Sequence, residues 1–214
     1  MRPIVWTVGP LAAPSATNIA LSQSPGAAGN LTLNGALVAS GVATLDTTRR
    51  VRITSGGDDR LVNFTIYGTD WFGAAISEVL AGSNGSTADS KLDYGTVTRI
   101  AISAAAASTV TVGTNGVASS PPIRLNRHGL APTALQVDVT GTVNATVQQT
   151  LNDPGVSGTS TDWLNHPDST LVALTGSVQG NYAYLPDSTR IVVNSQTNPG
   201  KVTFTVIQSG LANS

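Results

Sequence analysis

Apolar and polar residues alternate in short stretches along most of the chain. The pattern is strict at residues 62–67 (VNFTIY) and 202–206 (VTFTV), and a period of two also runs through 96–103 (TVTRIAIS). Alternation with a period of two is typical of a β-strand that buries one face and exposes the other. No segment has the 3.6-residue period of a long amphipathic helix. The pattern therefore predicts roughly a dozen short strands, with turns about every 8–12 residues.

Such a series of strands predicts an all-β fold, an antiparallel β-sandwich of the jelly-roll-like kind. Proline suggests where this fold is divided, because four of the eleven prolines lie in the first 30 residues and none lies between Gly26 and Ser120. Pro121-Pro122 then marks a linker or the start of an edge strand. We predict an extended N-terminal arm over 1–30, a β-sandwich domain over 31–120 and a second β domain over 121–214.

Three local elements follow from turn chemistry. Asn34-Gly35 is a strong signal for a hairpin, since both residues tolerate positive φ. At residues 67–86, a turn (GTDWFG) joins a strand to a returning strand that places Glu78 on one face with Ile76 and Leu80; the alternative is a short helix. The sequence QTNPG at 196–200 predicts the turn of a closing hairpin.

Composition limits the classes of partner. The net charge is −1, charged residues make up 11% of the chain, and there are only two lysines, so we expect no basic groove for nucleic acid. The absence of cysteine excludes disulfides and thiolate chemistry. Proline and glycine interrupt the apolar residues near the N-terminus, so we predict neither a signal peptide nor a membrane span. Few charges on a β protein also suggest a surface covered by other subunits.

Carboxylate catalysis has one candidate centre. Glu78 is the only glutamate, and a glycosidase pair would require Asp70 or Asp93 as its second carboxylate. However, Asp70 lies in a glycine-flanked turn, where aspartate commonly bonds to local backbone. Glu78 lies in the middle of a predicted strand, where we expect it to be solvated or paired with Arg99. We predict no catalytic residue, and a protein that is not an enzyme.

Histidine and metal chemistry have equally weak signals. His128 and His166 are the only histidines, and neither accompanies a G-x-S-x-G nucleophile elbow. Asp162, His166 and Asp168 match no metal-binding spacing, and the loop GGDDR at 56–60 lacks the alternating ligands of a calcium loop. That loop instead predicts a hairpin turn in which one aspartate pairs with its arginine. We expect no metal and no cofactor.

The remaining candidates are interface residues. Arginine suits planar, two-point contacts across interfaces, and tryptophan is often a buried anchor or an interface plug. A solvated strand face is the alternative for the arginines. The candidate interface residues are Trp6, Arg49, Arg50, Arg52, Trp71 and Trp163.

Two stretches resemble proteins encoded by tailed bacteriophages, over about residues 40–210: LDTTRRVRITSGGDDRLVNFTIYGTDWFGAAISEVLAG with GTVTRIAISAAAASTVTVGTNG, and the C-terminal strands from VDVTGTVNATVQQT onward. The pattern is a strand ending in an ItGtD-like turn, a sEtv-Gn-like turn, a tVt-I strand and a vtvGt strand. It is carried by Ile66, Gly68, Thr69, Asp70, Glu78, Gly82, Asn84, Val97, Ile100 and residues 110–114.

This resemblance implies a structural component of the virion, either a head decoration (cement) protein or an accessory protein of the head–tail junction. It would be a homo-oligomer bound to capsid or head–tail proteins, located in the virion after assembly in the bacterial cytoplasm. The alternative is a receptor- or glycan-binding module of a tail fibre or spike, in which Trp71 and Tyr94 would contact sugar.

Overall fold

The computed structural model describes residues 3–126, 132–154 and 162–208. Apart from one short 3-10 helix at Ser169–Leu171, its regular elements are strands, and their pairings are antiparallel. The predicted all-β, sandwich-like fold is confirmed. No helix in the described residues is long and apolar enough to cross a membrane. The strands are β1 (Ile4–Val8), β2 (Ser15–Gln23), β3 (Gly29–Asn30), β4 (Val38–Ala39), β5 (Val42–Ser55), β6 (Asn63–Thr69), β7 (Ala75–Ala81), β8 (Thr87–Asp89), β9 (Tyr94–Ile102), β10 (Val110–Ser119), β11 (Ile123–Arg124), β12 (Thr133–Thr150), β13 (Leu164–Asn165), β14 (Val178–Asn181) and β15 (Ser188–Gln208).

The chain divides into two compact units. Unit 1 comprises Met1–Ala12 and Val117–Ser214, and unit 2 comprises Ala13–Gly116. This division differs from the predicted boundaries after residues 30 and 120. In the segment predicted as an arm, β1 pairs with β15 and β2 pairs with β10. Strands form there because the four prolines of this segment lie outside β1 and β2.

Unit 1 is built around the pairing of β12 with β15, which runs from Thr133 opposite Gln208 to Thr150 opposite Ser188. β14 and β1 extend one end of this ribbon, and β13, β10 and β11 extend the other. The inward side chains of both ends contribute to one core: Val8, Leu11, Ala118, Ile123, Leu125, Leu135, Val137, Val143, Ala145, Val147, Leu171, Leu174, Tyr182, Ile191, Val193, Val202, Phe204 and Val206.

The predicted closing hairpin at residues 196–200 is wrong. These residues lie within β15, and the register shifts there between Thr140 and Thr142 of the paired strand. Gly141 has a φ of +74°, and a Cβ on Gly200 would lie 2.6 Å from the Thr142 carbonyl oxygen. The prolyl-glycine pair therefore forms an irregularity inside a long paired strand, and the partner strand continues past it.

Unit 2 is organised around β9, which pairs with β6 on one side and with β5 and β3 on the other. β7 adds to β6, β8 and β4 add to β5, and β2 pairs with β10. Apolar residues of the strands, with Leu31 and Val62 beside them, form the core: Ile19, Ala20, Leu31, Ala43, Leu45, Val51, Ile53, Val62, Phe64, Ile66, Tyr94, Val97, Ile100, Ile102, Val110 and Val112.

The hairpin predicted at Asn34-Gly35 is also wrong. The turn between β4 and β5 lies at Ser40-Gly41, where both residues have positive φ. The Asn34 Oδ1 instead accepts a hydrogen bond from the Leu21 N–H at 2.9 Å. Gly35 lies so close to the backbone of Asn18 that a Cβ would overlap it. The glycine is required here for close approach of two backbone segments.

The strand–turn–strand prediction for residues 67–86 is confirmed in outline. β6 and β7 pair over their full length, from Asn63 opposite Ala81 to Thr69 opposite Ala75. Exposure alternates along β7, with Ile76, Glu78 and Leu80 on the less exposed side. The alternative of a short helix is wrong. The prediction that an aspartate pairs with Arg60 is confirmed for Asp58, at 2.7 Å.

Candidate functional site

The outward side of β7, β6 and β9 forms an exposed sheet face in unit 2. The strand register places Tyr67 between Ser77 and Arg99 in one row, and Thr65 between Val79 and Ala101 in the next. We call this surface the Tyr67–Arg99 face. Its members are Ala75, Ser77, Val79, Thr65, Tyr67, Thr69, Arg99 and Ala101.

A cation–π contact lies at the centre of this face. The Arg99 Cζ lies 3.8 Å from the centroid of the Tyr67 ring. Among the ion pairs of the described residues, none includes Arg99, so the predicted pairing with Glu78 is wrong. The stack holds an exposed guanidinium in a fixed position, with its charge not neutralised by a carboxylate of the described chain.

A β-bulge determines where these two side chains lie. The register shifts after the Tyr67–Arg99 pair, because Gly68 lies opposite Val97 and Thr98 is the extra residue. The Thr98 hydroxyl donates to the Tyr67 carbonyl oxygen at 3.3 Å. A Cβ on Gly68 would overlap the carbonyl oxygen of Thr96. The bulge therefore depends on a glycine, and such bulges commonly redirect a side chain near a functional site.

Glu78 binds backbone and belongs to no carboxylate pair. Its carboxylate accepts the Lys91 N–H at 2.9 Å and 3.0 Å and the Leu92 N–H at 3.0 Å. Asp70 accepts N–H groups of its own turn, as predicted, with its Oδ1 2.8 Å from the Phe72 nitrogen. Asp93 lies 3.7 Å from the Arg50 Nε. Each carboxylate has separate local partners, and the half-buried Glu78 binds backbone N–H groups rather than Arg99.

Replacing Glu78 by glutamine is expected to lower the free energy of unfolding by about 1 kcal/mol, because the charged acceptor of two N–H groups becomes a neutral one. Glu78→Ala is expected to cost about 2 kcal/mol, since both N–H groups lose this partner. Urea unfolding followed by tryptophan fluorescence measures both variants. Equal stability of Glu78→Ala and the parent would show that the hydrogen bonds from this carboxylate to the Lys91 and Leu92 N–H groups do not stabilise the protein.

The three predicted interface arginines all lie in β5 and have partners inside unit 2. Arg49 is only 1% exposed, and its guanidinium donates to the Asn115 carbonyl oxygen at 2.5 Å and contacts Asp46 at 3.2 Å. Arg52 makes a two-point contact with Asp89, at 2.7 Å and 2.8 Å. The hydrogen bonds from Arg52 hold the pKa of Asp89 below its ordinary value. Arg49 therefore lies neither on a solvated strand face nor in a position to contact a partner protein.

The predicted tryptophans lie in different elements. Trp6 lies in β1 of unit 1, directly opposite Phe204, and remains 41% exposed. Trp163, also in unit 1, is half-buried beneath Arg190, whose Cζ lies 4.3 Å from the ring centroid. Trp71 is half-buried in the turn between β6 and β7 of unit 2. Their interface role stays a prediction.

Tyr94, which would contact sugar in a glycan-binding module, is not accessible to a ligand. Its side chain is fully buried in the core of unit 2, and its hydroxyl donates to the Ile66 carbonyl oxygen at 3.4 Å. Burial raises the pKa of this phenol, since a charged phenolate would be poorly solvated there.

His166 is a buried histidine of unit 1. Its Nδ1 accepts the Asp168 N–H at 3.1 Å, and its ring centroid lies 4.7 Å from that of Tyr182. Asp168 caps the short 3-10 helix by accepting the Thr170 N–H at 2.9 Å. In the ranges that the structure describes, no three histidine or acidic side chains are grouped to hold a metal ion. His128 lies outside the described residues.

The stability of unit 1 is expected to fall as the pH drops below about 6.5, the ordinary pKa of histidine. Burial lowers the pKa of His166 in the folded chain, so the unfolded chain binds the proton more tightly. The loss begins near the unfolded pKa and continues until the pH passes the lower folded pKa. His166→Leu should remove this component in urea unfolding measured from pH 8 to pH 5. An identical pH dependence in parent and variant would contradict the assignment.

Comparison of the chain with protein-family models finds no match, and comparison with curated proteins likewise finds none. The Tyr67–Arg99 stack was not predicted from the sequence. The available signals were the alternation of β6, which places Tyr67 on its polar side, and the consecutive polar residues Thr98 and Arg99, which interrupt the alternation of β9.

Proposed function

We propose that this chain is a structural component of a tailed-phage virion, which binds the capsid surface or the head–tail region and stabilises it by bridging subunits. The observation that supports this most is the exposed Tyr67–Arg99 face. Tyrosine and arginine are enriched among the residues that dominate binding energy at protein interfaces. On β7 of the same face, Val79 is 63% exposed, and a partner that covers it would remove apolar surface from water, which favours binding.

The mechanism is attachment through repeated weak contacts. Strands about 4.8 Å apart and alternate residues about 6.8 Å apart give this face an area on the order of 300 Å². A stable protein interface buries about 800 Å² on each partner, so one such face binds weakly by itself. Several copies in a symmetric homo-oligomer would hold firmly, because each contact raises the effective concentration of the next.

The same proposal assigns no reaction to the chain. The carboxylates of Glu78 and Asp70 and the imidazole of His166 are each engaged by nearby backbone N–H groups. These bonds account for their positions structurally, without a substrate. We propose a protein that acts without a cofactor, has no nucleic-acid or membrane partner, and resides in the virion after assembly in the bacterial cytoplasm.

The test is a protein inventory of phage particles released by cells that encode this chain. Particles banded on a density gradient are analysed by quantitative mass spectrometry. The proposal predicts that the chain bands with the major capsid protein, and its copy number separates a capsid-surface position from a head–tail position. A chain recovered only in the particle-free fraction would contradict the proposal.

A glycan-binding module on a tail fibre or spike remains the second candidate, but it has less support. Of the two aromatic residues considered for sugar contact, Tyr94 is buried and Trp71 is half-buried. Glycan-array binding that is lost in Trp71→Ala would favour this candidate.

A further inference from the structure

We infer that the Tyr67–Arg99 face binds a carboxylate side chain of a neighbouring protein subunit, with the Arg99 guanidinium as its recognition group. The inference rests on the proposed function, since it specifies the chemistry of the partner surface that the virion would supply. The occupant is thus an acidic residue of another virion protein, received by an otherwise uncharged sheet face.

Charge complementarity is the first argument. Arg99 is the only charged member of the face, and it has no carboxylate within ion-pair distance among the described residues. Other arginines of unit 2, such as Arg52 and Arg60, have carboxylates 2.7 Å away. The only acid in β7, Glu78, is held by the N–H groups of Lys91 and Leu92. An incoming carboxylate would therefore neutralise a charge that the chain leaves open.

Preorganisation is the second argument. The Tyr67 ring covers one side of the guanidinium, which leaves the N–H groups in its plane available for a two-point contact. The bulge at Gly68 and Thr98 fixes the two strands that carry the pair. Because Arg99 is already held by Tyr67, it loses less side-chain freedom when a partner binds than a mobile lysine would.

The surroundings of the stack suit a protein partner. Ser77, Thr65 and Ala101 are small, so a second backbone can approach closely, and the exposed Val79, which lies on β7 across β6 from Arg99, offers an apolar contact on the same face. A nucleic-acid partner would require several cations along its phosphates, and this face has one. A single carboxylate with an apolar neighbour is the ligand that the face accommodates best.

The experiment is an NMR titration of the full-length, ¹⁵N-labelled chain with acetyl-Glu₄-amide. Acetyl-Gln₄-amide is the neutral control, and inorganic phosphate at matched ionic strength is a third arm. We expect saturable shifts of the Arg99 Nε–Hε signal and of the Ser77 and Thr65 amides with the glutamate peptide only. Equal shifts with the glutamine peptide, shifts centred elsewhere, or equal or stronger shifts with phosphate would overturn the inference.

Matched variants separate the stack from general charge. Arg99→Gln should abolish the saturable shifts, whereas Arg60→Gln, which removes an exposed but ion-paired arginine of the same unit, should leave them unchanged. Tyr67→Leu should weaken binding about 2- to 5-fold, the value of an exposed cation–π contact. An unchanged dissociation constant in Arg99→Gln would overturn the inference. A failed titration would contradict this inference without affecting the test of whether the chain is part of the particle. Absence of the chain from particles would contradict the proposed function without affecting the titration result, so the two failures can be told apart.

Discussion

Replacing Arg49 by methionine is expected to lower the free energy of unfolding of unit 2 by about 3 kcal/mol, because one partner is removed from a buried charged hydrogen-bond group. The guanidinium is 1% exposed and donates to the Asn115 carbonyl oxygen and to Asp46. Methionine fills a similar length but donates nothing, so the carbonyl oxygen of the buried Asn115 and the more exposed Asp46 carboxylate both lose this partner.

Urea unfolding of the whole chain measures this effect. Arg60→Met is the control, because the Arg60–Asp58 pair is exposed to solvent and such pairs contribute little to stability. Arg49→Lys is a second variant that retains the charge but not the planar fork, and we expect a smaller loss. If Arg49→Met and Arg60→Met have equal stability, the buried hydrogen bonds of Arg49 do not stabilise unit 2.

Gly68→Ala is expected to destabilise unit 2 by on the order of 4 kcal/mol. Single substitutions cause losses this large only through severe effects such as backbone strain. The added Cβ would overlap the Thr96 carbonyl oxygen, which cannot move without breaking the pairing of β6 with β9. The same change should displace Tyr67 relative to Arg99 and weaken binding of the glutamate peptide.

Gly29→Ala is the matched control for this substitution. Gly29 lies in β3 of the same unit, and a Cβ there would meet nothing within 4 Å. We expect a change within about 0.5 kcal/mol, as for an ordinary surface position. Thermal and urea unfolding of the two alanine variants, compared with the parent, give the result. A Gly68→Ala protein as stable as Gly29→Ala would contradict the close approach of the two strands.

Local patterning accounts for the strands that were predicted correctly. β6 alternates strictly between polar and apolar residues and is joined to β7 by a short turn, so residues near in sequence determine their pairing. At residues 196–200 the same reasoning failed, because a proline-glycine pair looks identical in a turn and in a bulge of a long strand. The deciding partner of Gly200, Thr142, lies far away in sequence. Asn34-Gly35 failed similarly, since Gly35 is required by the distant backbone of Asn18.

The site could be predicted only in part. Alternation places Tyr67 on the outward face of β6, but the outward position of Arg99 and its contact with Tyr67 depend on the register of β6 with β9 and on the bulge at Thr98. For Glu78 the sequence leaves solvation or a pairing with Arg99 open, whereas its carboxylate accepts backbone N–H groups, for which the sequence carries no signal. Arg49 breaks the alternation of β5, as it follows the buried Thr48 and is itself buried.

The most direct test is an electron cryomicroscopy reconstruction of phage particles that contain this chain. We predict that the Tyr67–Arg99 face lies against a neighbouring subunit, with a carboxylate oxygen of that subunit about 2.7–2.9 Å from the Arg99 guanidinium nitrogens. Particles that lack the chain, or a bound chain whose Tyr67–Arg99 face is open to solvent, would contradict the account.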